Sequence, residues 1–329
     1  HAQVVRCDRA VGVLADDHEP LLGAEHVHRL GAVRGEPERS PGVDHGVPHL
    51  LVDVVEVVDL QHAMVGNHDV EPFELRHGVV DVGLITPIYV KGGTHLIRIQ
   101  SGFYSGADSV EAQVALYRCI AAENPAIGHE LAGLKVLAVQ GGSLPGIVTE
   151  ARPLRNLDDL KGLRLRAPTE LLTVLGSLGA DPVNMPMAEV YSAMTKGVID
   201  GVVAPADTFR AMHFADIAQH CNTLAVPRGA YPARAMSEAR WNRLSADQRA
   251  VLEAAMPIWE AALAKETRAA LAKGMEEARA KGVAITAMPE AEQARFDALY
   301  LRDAEANARS LSRFGIDGLS AFSTARASV

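Results

Sequence analysis

The sequence is poor in most of the features from which a function is usually read. No apolar run approaches the ~18 residues that a membrane-spanning helix requires. Positive charge is not in excess: 32 Lys and Arg stand against 41 Asp and Glu, for a formal net charge of −9. That balance argues against a nucleic-acid binder, whose basic footprint is missing, and gives no reason to expect attraction to anionic lipid. Aromatic residues are only 5% of the chain. The three cysteines, Cys7, Cys119 and Cys221, lie far apart with no C-x-x-C, so no zinc or dithiol motif is visible and at least one thiol stays unpaired. Catalytic signatures are missing as well. Gly141-Gly142-Ser143-Leu144-Pro145 has proline where the G-x-S-x-G elbow needs its second glycine. There is no G-x-G-x-x-G after a strand and no G-x-x-x-x-G-K. His213 and His220 fall near Cys221 in sequence, but nothing supplies the orienting third group of a Cys-His pair. No signal-peptide n-region or h-region follows His1, so an exported location is not legible from the residues themselves.

What is present suits roughly two domains of ~150 residues each, in a chain of 329 residues that is 48% hydrophobic and 22% charged. Residues 1–75 stand apart. Eight of the 13 histidines precede residue 70, and the first lysine, isoleucine and threonine are Lys91, Ile85 and Thr86. Three readings of this stretch stay open: a His-rich metal-binding segment using His26, His28, His45 and His49, an atypical structural segment, or an out-of-frame translation of a GC-rich gene.

From residue 78 onward, strands alternate with helices. Strands are expected over 78–85, 134–139, 163–165 and 198–204, and helices over 110–121, 156–160, 169–178 and 188–196. This rhythm predicts βαβ units and a largely parallel sheet. Ser245 with Gln248 forms a capping box at the head of a long helix running to about Lys281. At 1.5 Å per residue that helix spans ~50 Å, more than one small domain, and Pro257 should kink it. A last helix is expected from Glu290 to Phe314, followed by a frayed tail over 320–329.

The most specific stretch runs from Leu157 to Gly201: Leu157-Asp158-Asp159-Leu160-Lys161-Gly162-Leu163-Arg164-Leu165-Arg166-Ala167-Pro168, then Gly179-Ala180-Asp181-Pro182-Val183, Met187-Ala188-Glu189-Val190-Tyr191 and Gly197-Val198-Ile199-Asp200-Gly201. It resembles the solute-binding proteins of tripartite ATP-independent periplasmic (TRAP) transporters, and the likeness extends over roughly residues 75–315. It implies an α/β, two-lobe, periplasmic-binding-protein-like (Venus flytrap) fold with a long lobe-bridging helix. Lobe one would take residues 1–142 and 225–260. Lobe two would take 143–224, with 261–315 as lobe-two and lobe-crossing elements and 316–329 as tail. The implied protein is a periplasmic receptor, not an enzyme. It would close on a small organic acid and pass it to an ion-gradient-driven TRAP permease, and it implies no cofactor and no metal.

The resemblance also implies a site. Arg166 falls where the family holds the ligand's carboxylate, a task suited to a planar guanidinium with paired donors. Arg164, two residues earlier on the same strand, is expected to be solvated. Thr169 lies where relatives line the cleft, and Met187 where an aromatic often covers the ligand, although core filling explains Met187 as well. Ala204 stands in place of an asparagine of sialate-binding relatives. Ala206 and Asp207 replace a Trp-Glu pair of another branch. Tyr89 would reach the cleft from lobe one. Residues 143–148, where some members carry a second arginine, hold no cation. One cation in the cleft favours a monocarboxylate with an apolar or aromatic body. Two alternatives remain beside the receptor: a small-molecule enzyme on the same scaffold, and a binding-defective relative with a disrupted first lobe.

Overall fold

The computed structural model describes residues 75–85, 87 and 93–329, and residues 65–69 as backbone. The expectations for residues 1–64, including the histidine ligands, and for Tyr89 lie outside the described residues. The strands are β1 (Val65–Asp69), β2 (Val82–Leu84), β3 (Leu134–Gln140), β4 (Gly146–Thr149), β5 (Arg164–Arg166), β6 (Asp181–Val183), β7 (Gly201–Ala204), β8 (His220–Asn222), β9 (Tyr231–Ser237) and β10 (Ala284–Thr286). The helices are α1 (His95–Ile99), α2 (Val110–Glu123), α3 (Pro125–Glu130), α4 (Leu172–Ser177), α5 (Met187–Thr195), α6 (Thr208–Ala211), α7 (Glu238–Arg243), α8 (Ala246–Ala280), α9 (Glu290–Ser310) and α10 (Gly318–Ala327).

The strands form two sheets, ordered β1-β2-β9-β3 in lobe one and β10-β8-β4-β7-β5-β6 in lobe two. β1 pairs in parallel with β2, so backbone within the compositionally odd first 75 residues joins the lobe-one sheet. The expected parallel sheet is in fact mixed. β4 and β9 each run antiparallel to both neighbours. Each is fed straight from the other lobe, without the helical crossover that returns a chain parallel to itself.

Two crossings therefore carry the chain between lobes: residues 141–145 from β3 to β4, and residues 223–230 from β8 to β9. Their backbone leaves both sheets and must find partners elsewhere. The buried Gln113 amide, on α2, accepts from Gly142 N at 2.8 Å and donates to its carbonyl at 3.1 Å. On the second crossing, Gln293 from α9 accepts from Ala225 N at 2.9 Å and donates to its carbonyl at 3.1 Å. Val226 N closes the pair onto the Pro145 carbonyl at 3.1 Å.

Two helices also span the lobes, in opposite senses. The capping box at Ser245 and Gln248 starts α8 as expected. Leu252 near its start packs with Val82, Leu137, Met236 and Trp241 of lobe one. Ala278 near its end joins Val190, Met194, Phe209 and Phe214 of lobe two. Glu260 fastens the first half, accepting from Val139 N at 2.7 Å and pairing with Arg118 at 2.6 Å. Pro257 lies inside α8 without ending it. In α9, Phe296 and Tyr300 belong to the lobe-two core, while Ala304 and Ala308 belong to lobe one.

The tail expected to fray is instead α10. Asp317 caps it, accepting from Ser320 N at 3.0 Å. Ala321 and Ala325 are fully buried in the lobe-one core, and Phe322 meets Phe103 edge-on at 5.3 Å. A helix whose buried face is built from alanine carries a weak hydrophobic pattern, and only a close-fitting groove reveals it. The strand expected over 163–165 sits one residue later, at Arg164–Arg166. The helix expected over 169–178 divides into a 3-10 turn, Thr169–Leu171, and α4.

Two stability outcomes follow from these contacts. Gln113→Leu leaves the Gly142 N–H and C=O buried without partners, and should cost about 2–4 kcal/mol, read as a lower urea midpoint at unchanged slope. At Gly274 of α8 any Cβ would overlap the Ala206 carbonyl oxygen. Helix propensity alone favours alanine there by roughly 1 kcal/mol, whereas overpacking costs about 1–3 kcal/mol. Because the obstacle is backbone, overlap should win and Gly274→Ala should melt lower; a higher melting temperature would refute the close packing of α8 on lobe two.

Candidate functional site

The lobe-two sheet places its site by topology. β7, β5 and β6 are adjacent and parallel, so their carboxyl ends share one edge, the position at which open α/β sheets collect ligands. The segments leaving that edge begin at Ala167, Asn184 and Pro205. Three expected residues, Arg166, Met187 and Asp207, are thereby brought to one rim from distant sequence positions, with Thr169 just beyond the β5 end.

Arg166 is the last residue of β5 and is buried. Its Nε donates to the Met185 carbonyl at 3.1 Å. Ala167 N bonds the Val183 carbonyl at 2.9 Å, and Asn184 Nδ2 donates to the Ala167 carbonyl at 3.2 Å. The β5 end and the loop after β6 are thus tied together around the guanidinium. Arg164 is solvated as expected, its side chain 53% exposed and 3.5 Å from Asp181.

Thr169 is exposed and opens the 3-10 turn after Pro168. Met187 is half-buried and packs against the lobe-two core. Ala204 ends β7 opposite Gly146 and is buried in that same core, so it backs the rim from inside. Asp207 is half-buried at the start of α6, its backbone set against Gly274 of α8. Asp200 and Gly197 are structural: Asp200 Oδ2 accepts from Arg164 N at 2.7 Å, and Gly197 leaves α5 at φ +66°.

Four residues that sequence reasoning missed belong to the same neighbourhood. Glu170, one position past Thr169, is half-buried but densely surrounded. Burial pushes its carboxyl above the usual range, while its own backbone N–H and the charges of Arg166, Arg228 and Arg98 pull it back. Arg228 lies on the second crossing, packed over Gly142, with Nη1 3.5 Å from the Ser143 carbonyl. Arg98 comes from α1 of lobe one. Tyr300, from α9, is buried, and both burial and the Glu170 charge push its hydroxyl well up. Beside Arg166, the charges of Arg228 and of the exposed Arg98 act on Glu170. Val226-Pro227-Arg228-Gly229 offered a signal, since an arginine between proline and glycine sits in an irregular connection.

A cavity of about 660 Å³ lies elsewhere, between Tyr117, Leu131, Leu137, Met256 and the Arg118–Glu260 pair of lobe one, and does not include Arg166. Arg166 marks the candidate site, as a buried guanidinium at the shared carboxyl edge of β7, β5 and β6. Cys221 is buried, and burial pushes its thiol up to about 11, far from an activated nucleophile. Among the described residues no group of three or more His, Cys, Asp or Glu could hold a metal ion. No described helix is long and apolar enough to cross a membrane.

The chain matches the model of bacterial extracellular solute-binding protein family 7 over residues 62–305. The match begins earlier than the expected resemblance near residue 75 and takes in β1. A solute-binding protein of Roseobacter denitrificans is 33% identical over 114 residues, covering 34% of this chain and 35% of the relative. The sialic acid-binding periplasmic protein SiaP of Vibrio cholerae is 30% identical over 112 residues, covering 33% and 34%. These curated relatives are thus matched over about a third of their length. Solved structures align more fully. A TRAP solute-binding protein of Rhodoferax ferrireducens in complex with benzoate has a TM-score of 0.68 at 25% identity, covering 78% of this chain and 80% of that one. A TRAP periplasmic solute-binding protein of Desulfovibrio salexigens has a TM-score of 0.65 at 26% identity, covering 77% and 78%. These relatives are solute receptors, not enzymes. On its family match and its two-lobe fold, the chain belongs to bacterial extracellular solute-binding protein family 7, the solute-binding proteins of TRAP transport.

Proposed function

We propose that this protein is a periplasmic receptor for a small organic acid anion, which it delivers to an ion-gradient-driven TRAP permease. The observation that carries the reading is Arg166: a buried guanidinium at the carboxyl end of β5, on the rim shared with the loops after β6 and β7. Its strand and its bond to Met185 hold it ready for a carboxylate, so little side-chain entropy remains to be lost on binding. Thr169, Met187 and Asp207 edge the site, with Ala204 behind them, and Tyr89 is its candidate contact from lobe one. Closure of the lobes around the two crossings excludes water and strengthens the ion pair.

We favour an acid with one carboxylate and an apolar or aromatic body. The benzoate held by the Rhodoferax ferrireducens protein supports that class, as do the half-buried Met187 and the small Ala206 at the rim. Glu170 among the arginines further disfavours a second carboxylate on the ligand.

Thermal melts against a panel of carboxylic acids test the reading. An acid at ~100 times its dissociation constant adds about 2.7 kcal/mol, a rise of about 5–10 °C at ~2–4 °C per kcal/mol. Arg166→Ala should weaken binding by about 100-fold or more and abolish that rise. An unchanged rise in the mutant would remove Arg166 from the site. Calorimetry should also find benzoate bound more tightly than succinate; the reverse order would overturn the monocarboxylate preference.

A further inference from the structure

The glutamines that hold the two crossings spend their amides in the same way. An amide side chain offers two N–H donors and a carbonyl acceptor. In each case the carbonyl and one N–H go to a single residue of crossing backbone, and the other N–H goes to a group on the glutamine's own side. For the fully buried Gln113 of α2, that group is the Ala107 carbonyl, 3.4 Å from Nε2 and just ahead of the helix. For Gln293 of α9, it is the carboxylate of Asp297, with Nε2 3.0 Å from Oδ1. Asp297 lies one helical turn further along α9 and is half-buried. Among the described residues its carboxylate makes no ion pair, and Gln293 is its hydrogen-bond partner.

The surrounding bonds show what this pair holds. Leu157 N donates to Glu292 at 2.9 Å, so the start of α9 is tied to lobe two. Gln293 accepts from Ala225 N at 2.9 Å and donates to its carbonyl at 3.1 Å. One residue on, Val226 N reaches the Pro145 carbonyl of the first crossing at 3.1 Å. The bonded series Asp297, Gln293, Ala225 therefore runs from a helix tied to lobe two to the place where the crossings meet. Burial pushes the Asp297 carboxyl up, and the Gln293 bond pulls it back toward the ionised form; the Asp108 and Arg326 charges raise and lower it in turn. A hydrogen bond to an ionised acceptor is roughly twice as strong as one between neutral groups, and linked bonds polarise one another. Without Asp297, one Gln293 N–H loses its acceptor and the side chain is pinned only by the backbone it is meant to hold.

We propose that Asp297 is a positioning residue of the interlobe connection: it anchors the Gln293 amide and, through that amide, fixes Ala225 of the second crossing. An ordinary i,i+4 pair steadies only its own helix, by a factor of about 2, whereas this one acts on backbone far away in sequence. The inference does not rest on the Arg166 site.

Amide hydrogen exchange of the full chain without ligand tests this at Ala225 and Val226, with Gly142 of the first crossing and Val148 of β4 as references. Exchange at an amide reports the free energy of the opening that exposes it. Asp297→Ala should speed exchange at Ala225 and Val226 about 10-fold, the loss of one hydrogen bond to a charged group, with both references unchanged. Asp297→Asn, which keeps a neutral acceptor, should recover most of the protection. In a Gln293→Ala background, Asp297→Ala should add nothing, because it acts through the glutamine. Unchanged exchange at Ala225 and Val226 in Asp297→Ala overturns the proposal. Equal acceleration at the references overturns it too, because the variant then loosens the whole fold. An undiminished effect of Asp297→Ala in the Gln293→Ala background overturns the route through Gln293 and the proposal with it.

Discussion

Two short lengths of backbone, residues 141–145 and 223–230, carry the chain between sheets, and their need for hydrogen-bond partners governs much of the architecture. A crossing strand gives up its ladder on leaving one sheet and regains it only on entering the next. Here the gap is bridged by two glutamines. Each presents an acceptor and a donor to one residue of backbone: Gln113 to Gly142, and Gln293 to Ala225. Gln113 comes from lobe one, and Gln293 from the lobe-two half of α9. Each crossing is thus gripped by a glutamine from one lobe. The antiparallel settings of β4 and β9 are the same constraint seen from within the sheets.

The cores are arranged around that constraint. Each lobe has its own hydrophobic clusters, and the two long helices divide their length between them. α8 is fixed to lobe one by Glu260 and to lobe two by the close approach of Gly274 to the Ala206 backbone. α9 runs the other way, from Phe296 and Tyr300 in lobe two to Ala304 and Ala308 in lobe one. The lobe-one contacts of α8 run from Leu252 to Arg268, and the core residues of α9 follow turn by turn from Phe296 to Ala308, so both helices are held along much of their length.

Charge completes the picture. Arg166 is buried, yet strand geometry and the loop after β6 hold it at the edge where three parallel strands end. Arg228 is carried there by a crossing, and Arg98 by lobe one. The deeply protonated Cys221 thiol, by contrast, sits in the lobe-two core and takes no part.

Much of this was legible in the residues, and for local reasons. The capping box at Ser245 and the helical spacing over 110–121 and 188–196 are interactions within a few residues of sequence, so periodicity and end signals found them. Arg166 was found because its motif is contiguous. The mixed strand directions were not legible, because pairing is decided by which strands arrive from the other lobe. Helix α10 was missed because its buried face is alanine, whose burial only a fitted groove makes favourable. Arg98, Glu170, Arg228 and Tyr300 carry no shared motif and are widely spaced in sequence. The chain by itself determined most of its elements, its family and the candidate arginine, Arg166. Only the tertiary structure decided which distant charges surround that arginine, because long-range electrostatic neighbourhoods are set by packing and not by sequence spacing.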